Sequence, residues 1–391
     1  MKIRRFTKFA SVLAIVALIV GLSACDQIGQ LLVPAPPEMP PDTGLPGEII
    51  IGVDLALTGE HADPYGLPMH RGFELARQEL NQLGGPQITF IIEDDQSTVE
   101  GAVEAFNKLI HQHGVSIITG LAISTQGAQA FPIAQENGVV CFSTVSSAAG
   151  LSAIGDFIFR AGLTTDVLNP IGVQITQEKL GYQKVALIYD AADVYSTSSN
   201  NENSKALVAS GVEILITETF QTGDTDFSAQ LTRIMEANPD ALFISALSGE
   251  MVQILSQGRA IGIPDSVRYI VPDLTSTEVA AVGDAADGAI AFTGWTSMAN
   301  TPGNQAFIQN YRAKYGIEPE PWAAQSYAGL YILAEAIAEA QSTEATAVRD
   351  AMAGIMDLDT ILGQFSFNAD GDAVYDPTIL IVENGELVLF E

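Results

Sequence analysis

The stretch Glu48-Ile49-Ile50-Ile51-Gly52-Val53-Asp54-Leu55-Ala56-Leu57 decides the fold. From Ile49 it is nearly continuously apolar, broken only by Gly52 and Asp54, as expected of a parallel strand buried on both faces. Outward from it, Met69 to Leu83 repeats apolar residues at helical spacing and stops at Gly84-Gly85-Pro86. The alternation continues with strand Ile88 to Ile92, helix Thr98 to His111, strand Val115 to Thr119, helix Thr125 to Glu136 and strand Val139 to Phe142. Repeated units of this kind build an α/β fold, a parallel sheet with helices on both faces. A second series starts near Asp166. Strands at Lys184 to Tyr189, Glu213 to Thr219, Ala241 to Ser245 and Tyr269 to Val271 alternate with helices near Ser198 to Ala209, Phe227 to Ala237 and Glu250 to Ile261. Beyond Trp295 helices dominate: Asn304 to Tyr315, Ala323 to Ala340 and Ala345 to Ile355. These are expected to return and cover the first sheet, whose own early helices are too few to bury both faces. The end is strand-like, with Gly363 to Phe367, then Thr378 to Val382 and Leu387 to Phe390 around the hairpin signal Asn384-Gly385.

Length and charge narrow the function. The chain of 391 residues exceeds what one core usually supports, so two lobes are expected. Its formal charge is −30, and none of the 47 acidic residues precedes Cys25, whereas four basic ones do. The body is thus more acidic still, which excludes a nucleic-acid partner. Hydrophobic residues at 47% argue against global disorder.

The chain opens with Lys2, Arg4, Arg5 and Lys8, an apolar run from Phe9 to Leu22, and Leu22-Ser23-Ala24-Cys25. The apolar run is shorter than the roughly 20 residues a membrane-crossing helix needs. The layout resembles a bacterial lipoprotein signal peptide, which implies cleavage after residue 24 and lipid on Cys25. The alternative is a transmembrane anchor with an incidental cysteine. Residues 25–47, with six prolines, read as an extended tether to the membrane. Cys141, within Val139-Val140-Cys141-Phe142, reads as a buried inert thiol, and no disulfide is expected in the body.

Several stretches together carry a further resemblance. They are Gly52 to Gly59, Tyr65-Gly66, Arg71-Gly72-Phe73-Glu74-Leu75-Ala76, Asn81-Gln82-Leu83-Gly84-Gly85 and Asp94-Asp95-Gln96-Ser97. Gly120 with Ser124, Phe159-Arg160, Tyr189-Asp190 with Tyr195, Asp224 to Phe227, Gly283 to Gly288 and Gly363 to Gly371 extend it nearly to the end. In order and spacing the chain resembles the branched-chain amino-acid binding proteins of ABC transporters. The resemblance implies a two-lobed type I periplasmic binding fold, each lobe a parallel sheet flanked by helices, joined by three crossovers. Lobe 1 would hold residues 48–166 and 293–358, and lobe 2 residues 167–292 and 359–391. Ligand would bind in the cleft as the lobes close, and the partners would be ABC permease subunits with cytoplasmic ATPases. Localisation would be the periplasm or the outer face of the cytoplasmic membrane.

Ligands meet sheets of this class at the carboxyl ends of strands. Gly120 ends a strand there, and Ser124 opens the next helix. It is placed either to donate, with the helix's free N–H groups, to a substrate carboxylate, or merely to cap the helix. In Ser143-Thr144-Val145-Ser146-Ser147, the resemblance gives Ser147 a hydroxyl contact and Val145 and Ser146 backbone contacts; ordinary turn chemistry is the alternative. A ligand ammonium needs an acidic partner, because a desolvated cation without one costs several kcal/mol. Asp273, after Val271-Pro272, matches the family's acidic position, and Asp166 is a second candidate. Tyr65 and Tyr195 would approach from opposite lobes, although Asp190 to Tyr195 is one residue longer than the usual loop and Ser196 replaces its glycine. Trp295 would either wall the pocket or pack between the lobes.

Nothing in the sequence favours an enzyme. Four histidines, His61, His70, His111 and His113, give no metal-binding spacing, and no nucleophile elbow or P-loop occurs. No cofactor is expected. A receptor that signals to a membrane partner is the rival to transport, and a lipid-anchored scaffold with an empty cleft is the third reading.

Overall fold

The computed structural model describes residues 45–391. The expected signal segment, Cys25 and the expected tether as far as residue 44 lie outside the described residues. The opening stretch forms β1 (Glu48–Leu55), the centre of a five-stranded parallel sheet. Its partners are β2 (Gln87–Asp94), β3 (Ile117–Gly120), β4 (Val140–Ser143) and β5 (Ile158–Arg160), in the order β2-β1-β3-β4-β5. Between them run α1 (Leu67–Gln82), α2 (Val99–Asn107) and α3 (Ser124–Glu136). The expected continuation of α2 to His111 ends early, and a wider turn takes over from Lys108 to Gln112.

After β5 the chain crosses to a second sheet through α4 (Thr165–Leu180). There β6 (Lys184–Asp190), α5 (Val194–Ala209), β7 (Glu213–Phe220), α6 (Ser228–Ala237), β8 (Ala241–Ser245), α7 (Ser248–Ala260), β9 (Arg268–Pro272), α8 (Ser276–Val282) and β10 (Ile290–Thr293) follow. The chain then returns with α9 (Asn304–Tyr315), α10 (Pro321–Ala340) and α11 (Ala345–Ala353). A small antiparallel sheet of β11 (Leu358–Thr360), β12 (Gly363–Phe367) and β13 (Ala373–Val374) makes the third crossover. The hairpin β14 (Thr378–Glu383) and β15 (Glu386–Leu389) completes the second sheet, ordered β15-β14-β10-β9-β8-β6-β7. Its turn, Asn384-Gly385, has both residues at positive φ, as a two-residue hairpin requires.

Both faces of each sheet are buried. Ile51, Val53 and Leu55 of β1 share a core with Phe73 of α1 and Leu330 and Leu333 of α10. The other face packs Ile118 and Cys141 against Phe106 of α2 and Phe131 of α3. In the second sheet, Leu187 and Phe243 meet Val173 of α4 and Leu207 of α5, and Ile188 and Ile244 meet Leu231 and Ile254. Burying each such side chain contributes about 1.5–3 kcal/mol.

The late helices do cover the first sheet: α10 lies along α1, and α11 against β4. The approach of α10 to α1 explains Gly72, where a Cβ atom would stand 2.1 Å from the Ala323 carbonyl oxygen. Glu79 of α1, fully buried, fastens the same layer. It accepts from Asn310 of α9 at 2.8 Å and from Tyr327 and Tyr331 of α10 at 2.5 and 2.9 Å. A carboxylate with three donors is a satisfied buried charge.

Candidate ligand-binding cleft

The carboxyl ends of β1, β3 and β4 face those of β6, β8 and β9 across a cleft with about 460 Å3 of atom-free space, part of it open to solvent. Its two walls differ in chemistry.

The first wall is made of donors. At the end of β3 the chain turns through Gly120 (φ 105°) and Leu121 (φ 49°), and the Leu121 amide donates to the Asp54 carbonyl at 2.8 Å. A Cβ on Gly120 would come within 2.0 Å of that carbonyl oxygen, so only glycine fits. The turn delivers Ser124 as the first residue of α3. Ile123 is the capping position and supplies no side-chain bond, so the leading N–H groups of α3 carry no cap. Ser124 does not cap its own helix either. Its Oγ accepts the amides of Ser147 at 3.3 Å and Ala148 at 3.1 Å and lies 3.2 Å from Ser146 Oγ. With two amides on its lone pairs, the hydroxyl is the donor in the contact with Ser146 Oγ, a hydrogen it can turn to a ligand instead. The loop after β4 thus leans on the start of α3, and Val145 and Ser147 line the cleft while Ser146 sits buried behind Ser124.

The second wall is made of acids. Asp273 follows β9 at φ 40°, with its amide donating to the Phe292 carbonyl at 2.9 Å. Its Oδ1 is buried and has no hydrogen-bond partner. Burial raises its pKa to about 7, the neighbouring Glu278 adds to the rise and the Thr293 hydroxyl opposes it. Glu278 also lines the cleft, and burial pushes its carboxyl up too. No Lys, Arg or His lines the cleft among the described residues.

Aromatic rings close the sides. Tyr65 is buried, accepts the Ser248 amide at 3.0 Å through its phenol oxygen, and lies 5.5 Å from the Trp322 ring between centroids. Tyr195 enters from the first turn of α5, and burial pushes both phenols up. It is helical, because Asp193 caps α5 by accepting the Ser196 amide at 2.7 Å. The walls are joined directly beside the cleft. Thr125 of α3 donates to Asp193 Oδ1 at 2.6 Å and accepts the Val194 amide at 2.9 Å.

Of the residues singled out from sequence, Tyr65, Ser124, Val145, Ser147, Tyr195 and Asp273 meet at the cleft, with Ser146 supporting them. Asp166 does not: it is exposed in the first turn of α4. Trp295 does not either. It is buried at 4% exposure, donates through Nε1 to Asn304 at 2.8 Å and packs on Phe307. The wall belongs instead to Trp322, which sequence reading left just outside a helix expected to start at Ala323. Glu278 and Ser248 were also missed. The capping-box spacing Thr275-Ser276-Thr277-Glu278, directly after Asp273, carried the signal for the first.

Comparisons with known proteins agree with this fold. The family described as periplasmic binding protein matches residues 48–386. The leucine-, isoleucine-, valine-, threonine- and alanine-binding protein of Pseudomonas aeruginosa is 24% identical over 329 residues, 82% of this chain and 87% of that one. The branched-chain amino-acid transporter substrate-binding protein LivJ from Streptococcus pneumoniae, solved with isoleucine, superposes with a TM-score of 0.81 at 28% identity, over 87% of this chain and 97% of that one. An ABC transporter solute-binding protein of R. palustris, solved with benzoate, gives 0.80 at 22% identity, over 88% and 95%. Matched over nearly all of its two sheets and the cleft between them, this chain belongs to the periplasmic binding protein family.

Proposed function

We propose that the protein is the solute-binding component of an ABC transporter and captures a small amino acid, branched-chain or otherwise apolar in the first instance, between two closing lobes. One observation carries the reading: a donor wall at Ser124 and the uncapped start of α3 faces the unpartnered acid Asp273. Ser124 and the α3 amides hold the α-carboxylate, Ser147 and Val145 flank it, and Asp273 neutralises the ammonium. Tyr65, Tyr195 and Trp322 enclose the rest at little entropy cost. The lobes divide near 48–166 with 293–358 and 167–292 with 359–391, a reading supported by strand membership in the two sheets. Partners are permease subunits, and the family's name supports a periplasmic location. Lipid on Cys25 would hold the body at the membrane. The protein performs no catalysis in this reading.

Thermal melting against a panel of amino acids, amides and carboxylic acids finds the ligand, since binding to the folded form alone raises the melting temperature. Ser124→Ala and Asp273→Ala each weaken amino-acid binding at least about tenfold without unfolding the protein, the loss of one charge-assisted bond. Unchanged calorimetric affinity in both variants removes the site.

A further inference from the structure

All three crossovers meet at one side chain. Tyr375 lies between β13 and β14, on the third crossover, with its ring 5.9 Å from that of Phe365 between centroids. Its hydroxyl reaches the second crossover, where a Cβ on Gly294 would stand 2.6 Å from the phenol oxygen, so the glycine makes room for it. The Leu163 amide of the first crossover and the carboxamide of Gln325 in α10 approach the same oxygen. None of these approaches closes into a hydrogen bond, and the phenol oxygen is buried and unpartnered.

Asp273 reaches the same place from the end of β9. Its amide bonds the carbonyl of Phe292, two residues before Gly294, and the Thr293 hydroxyl between them acts on its carboxyl. Asp273 is also the charged group that acts on the Tyr375 phenol. Its Oδ1, like that phenol oxygen, is shut off from solvent and has no partner. A neutral acid tolerates such a position, whereas a carboxylate oxygen there needs a donor. Tyr375 can supply one: burial above all, and then the Asp273 charge, push its hydroxyl well above the usual range, so it keeps its hydrogen.

We infer that Tyr375 is a positioning residue for ligand capture: when Asp273 ionises to meet the ligand's ammonium, the phenol donates to its buried oxygen, directly or through one water, and ties the acid to the point where the three crossovers meet. The ammonium rests on the amino-acid reading above, but the bond to Asp273 does not need it. The alternative role for Tyr375 is to pack its ring on Phe365 with the hydroxyl idle.

Tyr375→Phe separates these roles. The variant keeps the ring and removes a hydroxyl that bonds nothing while Asp273 is neutral, so it folds as the wild type does. The other titratable groups that act with Asp273 are Glu278 of α8, Tyr65 and Tyr195, and both proteins share them. Carboxyl-carbon NMR of the unliganded protein, with Asp273→Asn to identify the signal, should show Asp273 titrating at least about half a pH unit higher in the variant, the loss of one bond to a carboxylate. The bond serves the ionised free protein and the complex alike, so it matters to affinity only where the free acid is neutral. Leucine affinity by calorimetry should therefore be at least about threefold weaker than the wild type's at pH 6 and within about 1.5-fold of it at pH 9. A carboxyl titration that does not move overturns the inference, as does a leucine affinity lowered equally at both pH values. If no amino acid binds or raises the melting temperature, the amino-acid reading falls alone, and the titration still decides the role of Tyr375.

Discussion

Binding should release a proton, and the amount can be worked from Asp273. In the empty cleft its carboxyl titrates at about 7 because it is buried with Oδ1 unpartnered. A ligand ammonium against it restores the ordinary carboxylate range, near 3.9 or lower. The free protein therefore holds a proton that the complex does not, and affinity rises with pH until about 7 and then levels. Well below 7 each pH unit costs about tenfold, so the affinity at pH 5 is about fiftyfold weaker than at pH 7. Calorimetry in buffers of different ionisation enthalpy should count roughly 0.9 proton released per ligand at pH 6 and roughly 0.1 at pH 8. Asp273→Asn should flatten most of the slope, leaving the smaller part owed to Glu278. An aromatic carboxylic acid, with no ammonium, should show the opposite trend and bind tighter at low pH, where the acids are neutral. Affinity for an amino acid that is level from pH 5 to 7, or a slope that survives Asp273→Asn, refutes this account of the acidic wall.

The empty protein should lose stability as pH rises. Asp54 is fully buried with neither carboxyl oxygen bonded and is pushed well above its usual range by burial, Asp95 is raised to about 6 and Asp273 to about 7. Their unfolded values lie near 3.9, so the folded state holds more protons between about pH 4 and 7, and the stability complete below pH 4 is lost through that range. The melting temperature of the unliganded protein should fall from pH 5 to 7.5, and less so in Asp54→Ala; a rise over that interval contradicts the assignment. Thr125→Val removes both bonds from α3 to the start of α5, and at roughly 0.5–1.5 kcal/mol each ligand dissociation should quicken about tenfold in stopped flow. An unchanged rate would mean that this bridge does not hold the closed cleft.

The parallel strands were legible because they are buried on both faces and so read as near-continuous apolar runs, as β1 and β8 do. What stayed hidden was structure that buries polar residues. Helix α4 contains Pro170 and turns Asn169, Gly172 and Thr176 inward, so no apolar stripe marks it. Helix α5 begins four residues before its expected start because its inner face is Ser196, Ser199, Asn200 and Asn203. Asn169 bonds Ser199, and Ser199 Oγ lies 3.0 Å from Ser245 Oγ, partners that only the assembled fold supplies. In the cleft, Ser124 and Asp273 were legible because strand ends are where ligands sit. Trp322 was not, since a tryptophan that opens a long apolar helix looks the same in sequence whether it faces a core or a cavity. Trp295 shows the converse: a tryptophan beside a crossover turned out to serve packing alone.

The layer that Glu79 holds together also sets a timetable. Its phenolic partners lie 248 and 252 positions further along the chain, and its amide partner 231. At about 5–20 residues per second of synthesis, the carboxylate exists for roughly 12–50 seconds before those donors do. Throughout that interval one face of the first sheet is covered by α2 and α3 while the other waits for its late helices. The last third of the chain thus decides when the first sheet is complete.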